Sequence, residues 1–454
     1  MRIELISPGA EDSARLPPLA LATLAALTPP EVELSFSDDH ILPLALPEGL
    51  KEVDLVAISV LSKTAYRAYQ IADAYRQRGV KVVLGGIHPT TLPEEASAHA
   101  DAVVIGEAEA NWPRLLVDYQ TGRLQRFYRQ SAPADLERTP IPRREIFKPY
   151  RFRYSPVDVV QTTRGCPYDC DFCTVHSLFG RQYRTRPLAS VRAEIEGLHQ
   201  LGLLFADDNV IGNIPHFRQL FSSLIPLKLR WIGEASLAGL DDEENLRLLE
   251  RSGCKALFIG FESLSPELKR VGKTQNHPER YGEIISRLHD RGIIAYGAFM
   301  FGFDFDDPSV FERTVEFAIR SKLLLAQFAL LTPYPGTRLY RRLKAEGRLL
   351  REKWWLEPNQ EILAPHFRPR LMEPERLREG WKWAWREFYS FSSIWRRKAL
   401  WSSLHSNLLY LPLNLMQRRF ARHKICGEET RARAGREAAG KTLFPEGEAG
   451  DSGD

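Results

Sequence analysis

The sequence predicts an α/β chain in three parts: a doubly wound parallel sheet, a partial (β/α)6 barrel and a helical C-terminal module. Two series of short β-rich runs, each alternating with amphipathic helical runs, predict the first two parts, because strands separated by helices build parallel sheets. A rise in tryptophan beyond about residue 345 predicts the third, since Trp354, Trp355, Trp381, Trp383, Trp385, Trp395 and Trp401 are seven of the nine in the chain. The length agrees, because 454 residues suffice for about two to four domains with cores of their own.

In residues 1–125, strands are expected at 2–6, 32–37, 54–59, 80–84 and 102–105, with helical runs at 18–27, 63–77 and near 109–119. This alternation reads as a Rossmann-like sheet, in which ligands sit beyond the carboxyl ends of the strands. Those ends carry Ser59, Gly85, Gly86, His88, Gly106 and Glu107, which are therefore candidate cofactor-binding residues. Residues 126–156 hold Pro133, Pro140, Pro142, Pro149 and Pro156 without a long periodic run and are expected to be a linker. In residues 157–345, strands are expected at 157–162, 203–206, 228–234, 256–260, 293–301 and 325–331, with helices near 188–201, 215–224, 242–252, 281–291 and 309–322. Six such units suggest an open barrel whose chemistry lies just after the strands' carboxyl ends. Residues 346–426 are the tryptophan-rich helical module, and within 381–425 nine Lys or Arg stand against one acid, Glu387. Apolar aromatic surface beside clustered base suggests a membrane-surface helix or a cap on the barrel. The polar, aperiodic residues 427–454 are expected to be a disordered tail.

Composition excludes several classes. No apolar run approaches the ~18–20 residues of a membrane span, and a net charge of +4 is too weak to imply a nucleic-acid partner. The N-terminus lacks the layout of a signal peptide, so a reducing, cytoplasmic setting is expected, with at most peripheral membrane contact. Three of the five cysteines, Cys166, Cys170 and Cys173, fall within eight residues just after the first barrel strand. They cannot all pair with one another, which argues for metal or cluster ligation. Thiolates at i, i+4 and i+7 can each hold one iron of a 4Fe-4S cluster and leave the fourth iron open. A zinc site remains possible if His176 supplies a fourth ligand. Cys254 and Cys426 stand alone and are expected to be ordinary core or helix cysteines.

The CxxxCxxC loop, with Phe172 before its last cysteine, resembles that of the radical S-adenosylmethionine enzymes. The resemblance continues through the strand ends at 205–209, 258–263, 297–302 and 332–337, and the N-terminal domain makes the chain similar to the subgroup with a cobalamin (B12)-binding domain. It implies that Cys166, Cys170 and Cys173 hold the cluster, whose open iron chelates S-adenosyl-L-methionine. One electron then releases methionine and a 5′-deoxyadenosyl radical that abstracts hydrogen from carbon. Asp207, Asp208 and Asn209 would hold the ligand's ammonium group, and Glu262 its ribose hydroxyls or ammonium. Gly297 and Gly302 would let the adenine approach the backbone, with Thr332 at the last strand end. Arg164, Arg181, Arg184 and Arg186 would tune the cluster or pair with carboxylates, and Tyr296 and Tyr334 could act near substrate. His40 is not expected to ligate cobalt, because Asp38-Asp39-His40-Ile41-Leu42-Pro43 follows the second strand and has proline where that family motif has glycine.

The implied activity is methylation of an unactivated carbon on a small-molecule or lipid-like substrate, with a reducing donor such as flavodoxin or ferredoxin. A radical rearrangement or cyclisation without methyl transfer is the same-class alternative, and a non-catalytic iron–sulfur or cobalamin sensor is the different-class one. RNA modification of the methylthiotransferase kind ranks below both, since neither a second three-cysteine set nor a C-terminal β-barrel pattern is present. The C-terminal module could place the barrel mouth beside lipid.

Overall fold

The computed structural model describes residues 1–9, 15–199, 202–357, 364–398 and 404–425. The readings of Trp401, Cys426 and the tail 427–454 fall outside the described residues. Strands β1 (Arg2–Ser7), β2 (Glu33–Asp38), β3 (Leu55–Ser59), β4 (Lys81–Gly85), β5 (Ala102–Ile105) and β6 (Phe127–Arg129) form one parallel sheet in the order β2-β1-β3-β4-β5-β6. Alternate residues serve opposite faces, as the two-residue period of a strand requires. Ile6, Val56, Ile58, Val82 and Leu84 pack against the helix Ala65–Gln77, whereas Ile3, Leu5, Ala57 and Val83 pack with Leu21, Trp112 and Leu115. The chain reverses direction between β1 and β3, which opens a crevice at their carboxyl ends.

Strand β7 (Val157–Val160) begins the second sheet, and β8 (Thr163–Arg164) pairs antiparallel with β9 (Arg184–Thr185) to close the cysteine loop. The sheet continues with β10 (Gly202–Phe205), β11 (Trp231–Ala235), β12 (Cys254–Glu262), β13 (Ile294–Phe301) and β14 (Leu325–Leu330), each parallel and next to its predecessor. That is an open (β/α)6 half-barrel. Its outer layer is a continuous core that includes Phe205, Trp231, Phe261, Phe299 and Phe328, and that core takes in Cys254 as an ordinary apolar residue.

Two expectations need correction. The segment expected to be a linker supplies β6, a sixth strand too short to carry a visible period. Trp354 and Trp355 join the core of the first sheet and not the C-terminal module. The helix Pro374–Phe388 lays Trp381, Trp385 and Phe388 against β14, where both indole N–H groups donate to the Phe328 carbonyl at 2.8 Å. The Tyr389 hydroxyl accepts from the Ala326 N–H at 3.1 Å and donates to its carbonyl at 2.7 Å. The helices thus satisfy the free edge of the last strand, as a seventh strand would. The buried Arg397 donates to the carbonyls of Leu323 and Leu324, just before β14. These last helices therefore lie at the amino-terminal end of the barrel. The expectation that they bring the barrel mouth beside lipid is corrected: the mouth is at the other end.

Candidate active site

The cysteine loop leaves the carboxyl end of β7 through Gly165, whose φ of +90° and whose missing Cβ, which would lie 2.2 Å from the Gln182 carbonyl, allow only glycine. Asp207 is fully buried beneath it and accepts from the Thr162 N–H (2.6 Å), the Thr163 N–H (2.6 Å) and the Thr162 hydroxyl (2.7 Å). Asn209 is likewise engaged with the backbone and hydroxyl of Ser236. Expected as ligands of an ammonium group, Asp207 instead clasps the entry to the loop at Thr162 and Thr163, and Asn209 ties its own strand end to Ser236 after β11. Asp208 keeps one foot in each role: it accepts from the Gly165 N–H at 3.0 Å and lies close enough to Cys166 to act on its charge.

The three thiols are free, and burial pushes Cys170 up to about 12 and Cys173 to about 11, with mutual repulsion adding to the effect. Such thiols ionise when a metal takes the proton's place. His176 faces the Cys166 carbonyl at 3.3 Å with one ring nitrogen and Asp169 at 3.2 Å with the other, which removes it as a fourth ligand. Among the described residues no three His, Cys, Asp or Glu side chains converge on a single ion. Three thiols on one loop suit a cluster, in which each thiolate takes its own iron.

A second loop closes over the cysteines. Gly272 sits so near that a Cβ would lie 2.0 Å from the Asp169 carbonyl, and it delivers Lys273 beside Cys170 and Cys173. Lys273 pairs with Glu262 at 2.7 Å. Glu262 holds φ +60°, a conformation costly for a residue with a Cβ, at the end of β12 where the register slips. Alternation places Ile232, Glu234, Phe258, Tyr296 and Met300 on the lumen side of the barrel. Glu234 is exposed to the open lumen; the surrounding sheet walls displace bulk water from it and push its carboxyl up to about 7, and Asp208 and Glu262 add to the rise. Sequence reading missed Lys273 and Glu234. A carboxylate inside a short buried strand was the available signal for Glu234.

Gly297 and Gly302 are corrected. A Cβ on Gly297 would meet Leu323 at 2.8 Å and Phe299 at 3.1 Å, on the helix side of the sheet and away from the lumen. Gly302, at φ +112°, abuts Leu377 and Phe367 and gives its N–H to Asp306. Both serve packing. Thr332 stands at the carboxyl end of β14 with its hydroxyl on the Leu330 carbonyl, and Tyr334 stacks edge-on with Trp354, away from the lumen.

The other half of the site is a cleft at the carboxyl ends of the first sheet, with about 1080 Å³ of empty space, mouth included. Ser59, Gly85, Gly86, Gly106 and Glu107 line it as expected, with Leu24, Val104 and Trp112 forming an apolar wall. Gly86 needs its φ of +101°, since a Cβ would lie 2.8 Å from the Val60 carbonyl. His88 is corrected: it is fully buried and bonded to Ser62, Tyr69 and Glu95, so it faces the core and not the cleft. No histidine lines the cleft among the described residues. The far wall comes from the barrel: Gln161, Arg164, Leu178, Phe179 and Ala206. Arg164, one residue before the cysteine loop, binds Glu107 and Glu109 at 2.6 Å each. Arg184 also holds Glu107, at 3.0 Å. Burial pushes the Glu107 carboxyl up, but the two arginines outweigh it and hold it below the ordinary range. Arg186 pairs with Glu194, and Arg181 with Asp169. An apolar cleft that is open to solvent, with bare glycine backbone at its floor, suits a planar cofactor lying across the strand ends.

The B12 binding domain family matches residues 11–116, the Radical SAM superfamily residues 160–318, and a domain of unknown function (DUF4070) residues 337–425. The bacteriochlorophyllide d C-12(1)-methyltransferase of Chlorobaculum tepidum is 32% identical over 389 residues, covering 84% of each protein. The bacteriochlorophyllide d C-8(2)-methyltransferase of the same organism is 31% identical, over 74% of this chain and 78% of that one. Among solved structures, the radical S-adenosylmethionine methyltransferase TsrM from Kitasatospora setae shares the fold, with a TM-score of 0.65, 19% identity and coverage of 96% of this chain and 99% of that chain.

Proposed function

From the premise that this chain belongs to the radical S-adenosylmethionine enzymes with an N-terminal B12-binding domain, we propose that it methylates an unactivated carbon of an apolar small molecule, with a tetrapyrrole as the leading class. One observation carries the reading: the carboxyl ends of both sheets line the same cleft, whose barrel wall is Gln161 and Arg164, just before the cysteine loop, Leu178 and Phe179, just after it, and Ala206. When bound, the 4Fe-4S cluster supplies the electron that cleaves S-adenosyl-L-methionine, and cobalamin carries the methyl group. Cys166, Cys170 and Cys173 would hold the cluster, and Lys273 places a positive charge beside it. Glu262 and Asp208 are placed to receive the ammonium or ribose of S-adenosyl-L-methionine. Ser59, Gly85, Gly86 and Gly106 offer the backbone floor for the corrin, and the apolar lumen around Ile232, Phe258 and Met300 would take the substrate and exclude water. The relatives named for bacteriochlorophyllide d favour a tetrapyrrole over a lipid. Two further partners belong to the reading: a one-electron donor such as flavodoxin or ferredoxin, and a membrane surface.

The test is anaerobic reconstitution with iron, sulfide and hydroxocobalamin, followed by reduction in the presence of S-adenosyl-L-methionine and bacteriochlorophyllide d. About four irons per chain, with 5′-deoxyadenosine and S-adenosylhomocysteine both lost in Cys170→Ala, is the expected result. 5′-Deoxyadenosine without S-adenosylhomocysteine would replace methyl transfer by a rearrangement. Zinc in place of iron would overturn the reading.

A further inference from the structure

We infer that the last two described helices form a docking surface for an anionic lipid bilayer, at the end of the barrel opposite the thiols. The helix Phe391–Arg397 exposes Phe391 (65%) and Trp395 (74%), one turn apart. The helix Leu404–Phe420 exposes Leu408 (67%), Leu411 (53%), Leu415 (41%) and Met416 (56%), at the spacing of one helical face. These are six of the fourteen large apolar residues exposed among the described residues, so the exposure is gathered and not scattered.

The inner faces of the same helices already meet the needs of the fold. The Tyr410 hydroxyl donates to the Ile394 carbonyl, and buried Asn414 bonds Arg397 at 2.8 Å and the Leu324 carbonyl at 3.2 Å. The apolar stripe is therefore a second face with no packing role among the described residues. Its border is basic. Arg418 lies over the Phe391 ring at 4.1 Å and Lys398 over Trp395 at 5.0 Å, with Arg396, Arg419 and Arg422 close in sequence. The sequence 381–425 carries nine Lys or Arg and one acid; Arg397 is buried and Arg396 pairs with Glu316, which leaves Lys398, Arg418 and Arg419 on the side of the stripe. A protein interface selects against such an excess of one sign, whereas the headgroups of an anionic membrane complement it, and tryptophan beside leucine suits the boundary between headgroup and acyl chain. No described helix is long and apolar enough to cross a membrane, so the helices lie on the surface.

The fold sets the orientation. Arg397 and the Lys322–Arg396 contact anchor these helices just before β14, whereas the chain leaving the carboxyl end of β14 reaches the cysteine loop, where the Leu339 N–H donates to the Asp171 carbonyl at 3.0 Å. Docking thus turns the cofactor cleft away from the bilayer.

The inference holds whatever the barrel acts on, and the experiment is separate from turnover. The full-length holoenzyme is floated with phosphatidylcholine vesicles, with and without about 30% phosphatidylserine. Wild type is expected to float with the phosphatidylserine vesicles and to lose binding as salt rises. The variant L411E/L415E, with unchanged melting temperature and unchanged 5′-deoxyadenosine yield, is expected to float at least about tenfold less. W395A, a change on the other helix, is expected to weaken flotation in the same direction. Equal flotation of wild type and L411E/L415E, or none by wild type, would overturn the inference. So would a wild-type dimer in sedimentation that L411E/L415E dissolves, which would give the surface to a second copy of the chain.

Discussion

Gly260 governs how Glu262 and Lys273 meet. A Cβ there would lie 2.5 Å from Glu262 Oε1 and 2.9 Å from Lys273 Nζ, so Gly260→Ala must displace the tips of the pair from their present seat. If the pair positions S-adenosyl-L-methionine, G260A weakens its binding by about tenfold, or about 1.4 kcal/mol, with iron content unchanged. Equilibrium dialysis reads this directly, and unchanged affinity would remove Glu262 from the binding set. Glu234 makes a different prediction. Its carboxyl rises from 4.5 to about 7 in the folded chain, so the fold binds that proton more tightly than the unfolded chain does. The resulting stability is full below pH 4.5 and is lost as pH rises through about 7. Glu234→Gln cannot titrate, so its urea midpoint relative to wild type should improve across that window. Parallel pH profiles would sink the assignment. Glu107→Ala leaves buried Arg184 without its carboxylate and Arg164 with Glu109 alone, and removal of one partner from such a network costs about 3 kcal/mol. A matching fall in the urea midpoint is expected.

At the scale of elements, the free edge of β14 makes the sharpest case. Two indole N–H groups share the Phe328 carbonyl, so Trp381→Phe or Trp385→Phe alone leaves it bonded. Together they leave a buried acceptor unpaired, which costs a further ~1–3 kcal/mol beyond the sum of the single changes. A double-mutant cycle in urea measures the excess. The element pattern was largely legible in the sequence, because alternation and helical periods record burial directly; the six barrel strands lie close to where the hydrophobic runs put them. The cysteine loop was legible for another reason: ligand spacing is local. What depended on distant contacts was not. Asp207 looked like a free donor of lone pairs until the Thr162–Thr163 backbone folded onto it, and Asn209 until Ser236 did. His88 lies two residues past the glycines that line the cleft, yet its ring turns inward, held by Ser62, Tyr69 and Glu95. Lys273 lies 100 residues after the last cysteine it serves, and only the close seat of Gly272 on Asp169 brings it there.

At the scale of the whole molecule, two parallel sheets present their carboxyl ends to each other, and the salt links from Glu107 and Glu109 to Arg164 tie one to the other. Because Arg164 immediately precedes the cysteine loop and also walls the cleft, anything that orders the loop also shapes the cleft. The expected consequence is that the two halves of the enzyme are not loaded independently. Binding free energy gained at one site is felt at the other, and the effect must be reciprocal. Chain purified without iron should hold hydroxocobalamin more weakly than reconstituted chain, and chain saturated with cobalamin should take up iron and sulfide more completely, by the same factor. A cell short of either cofactor would accumulate chains empty of both in preference to chains half filled.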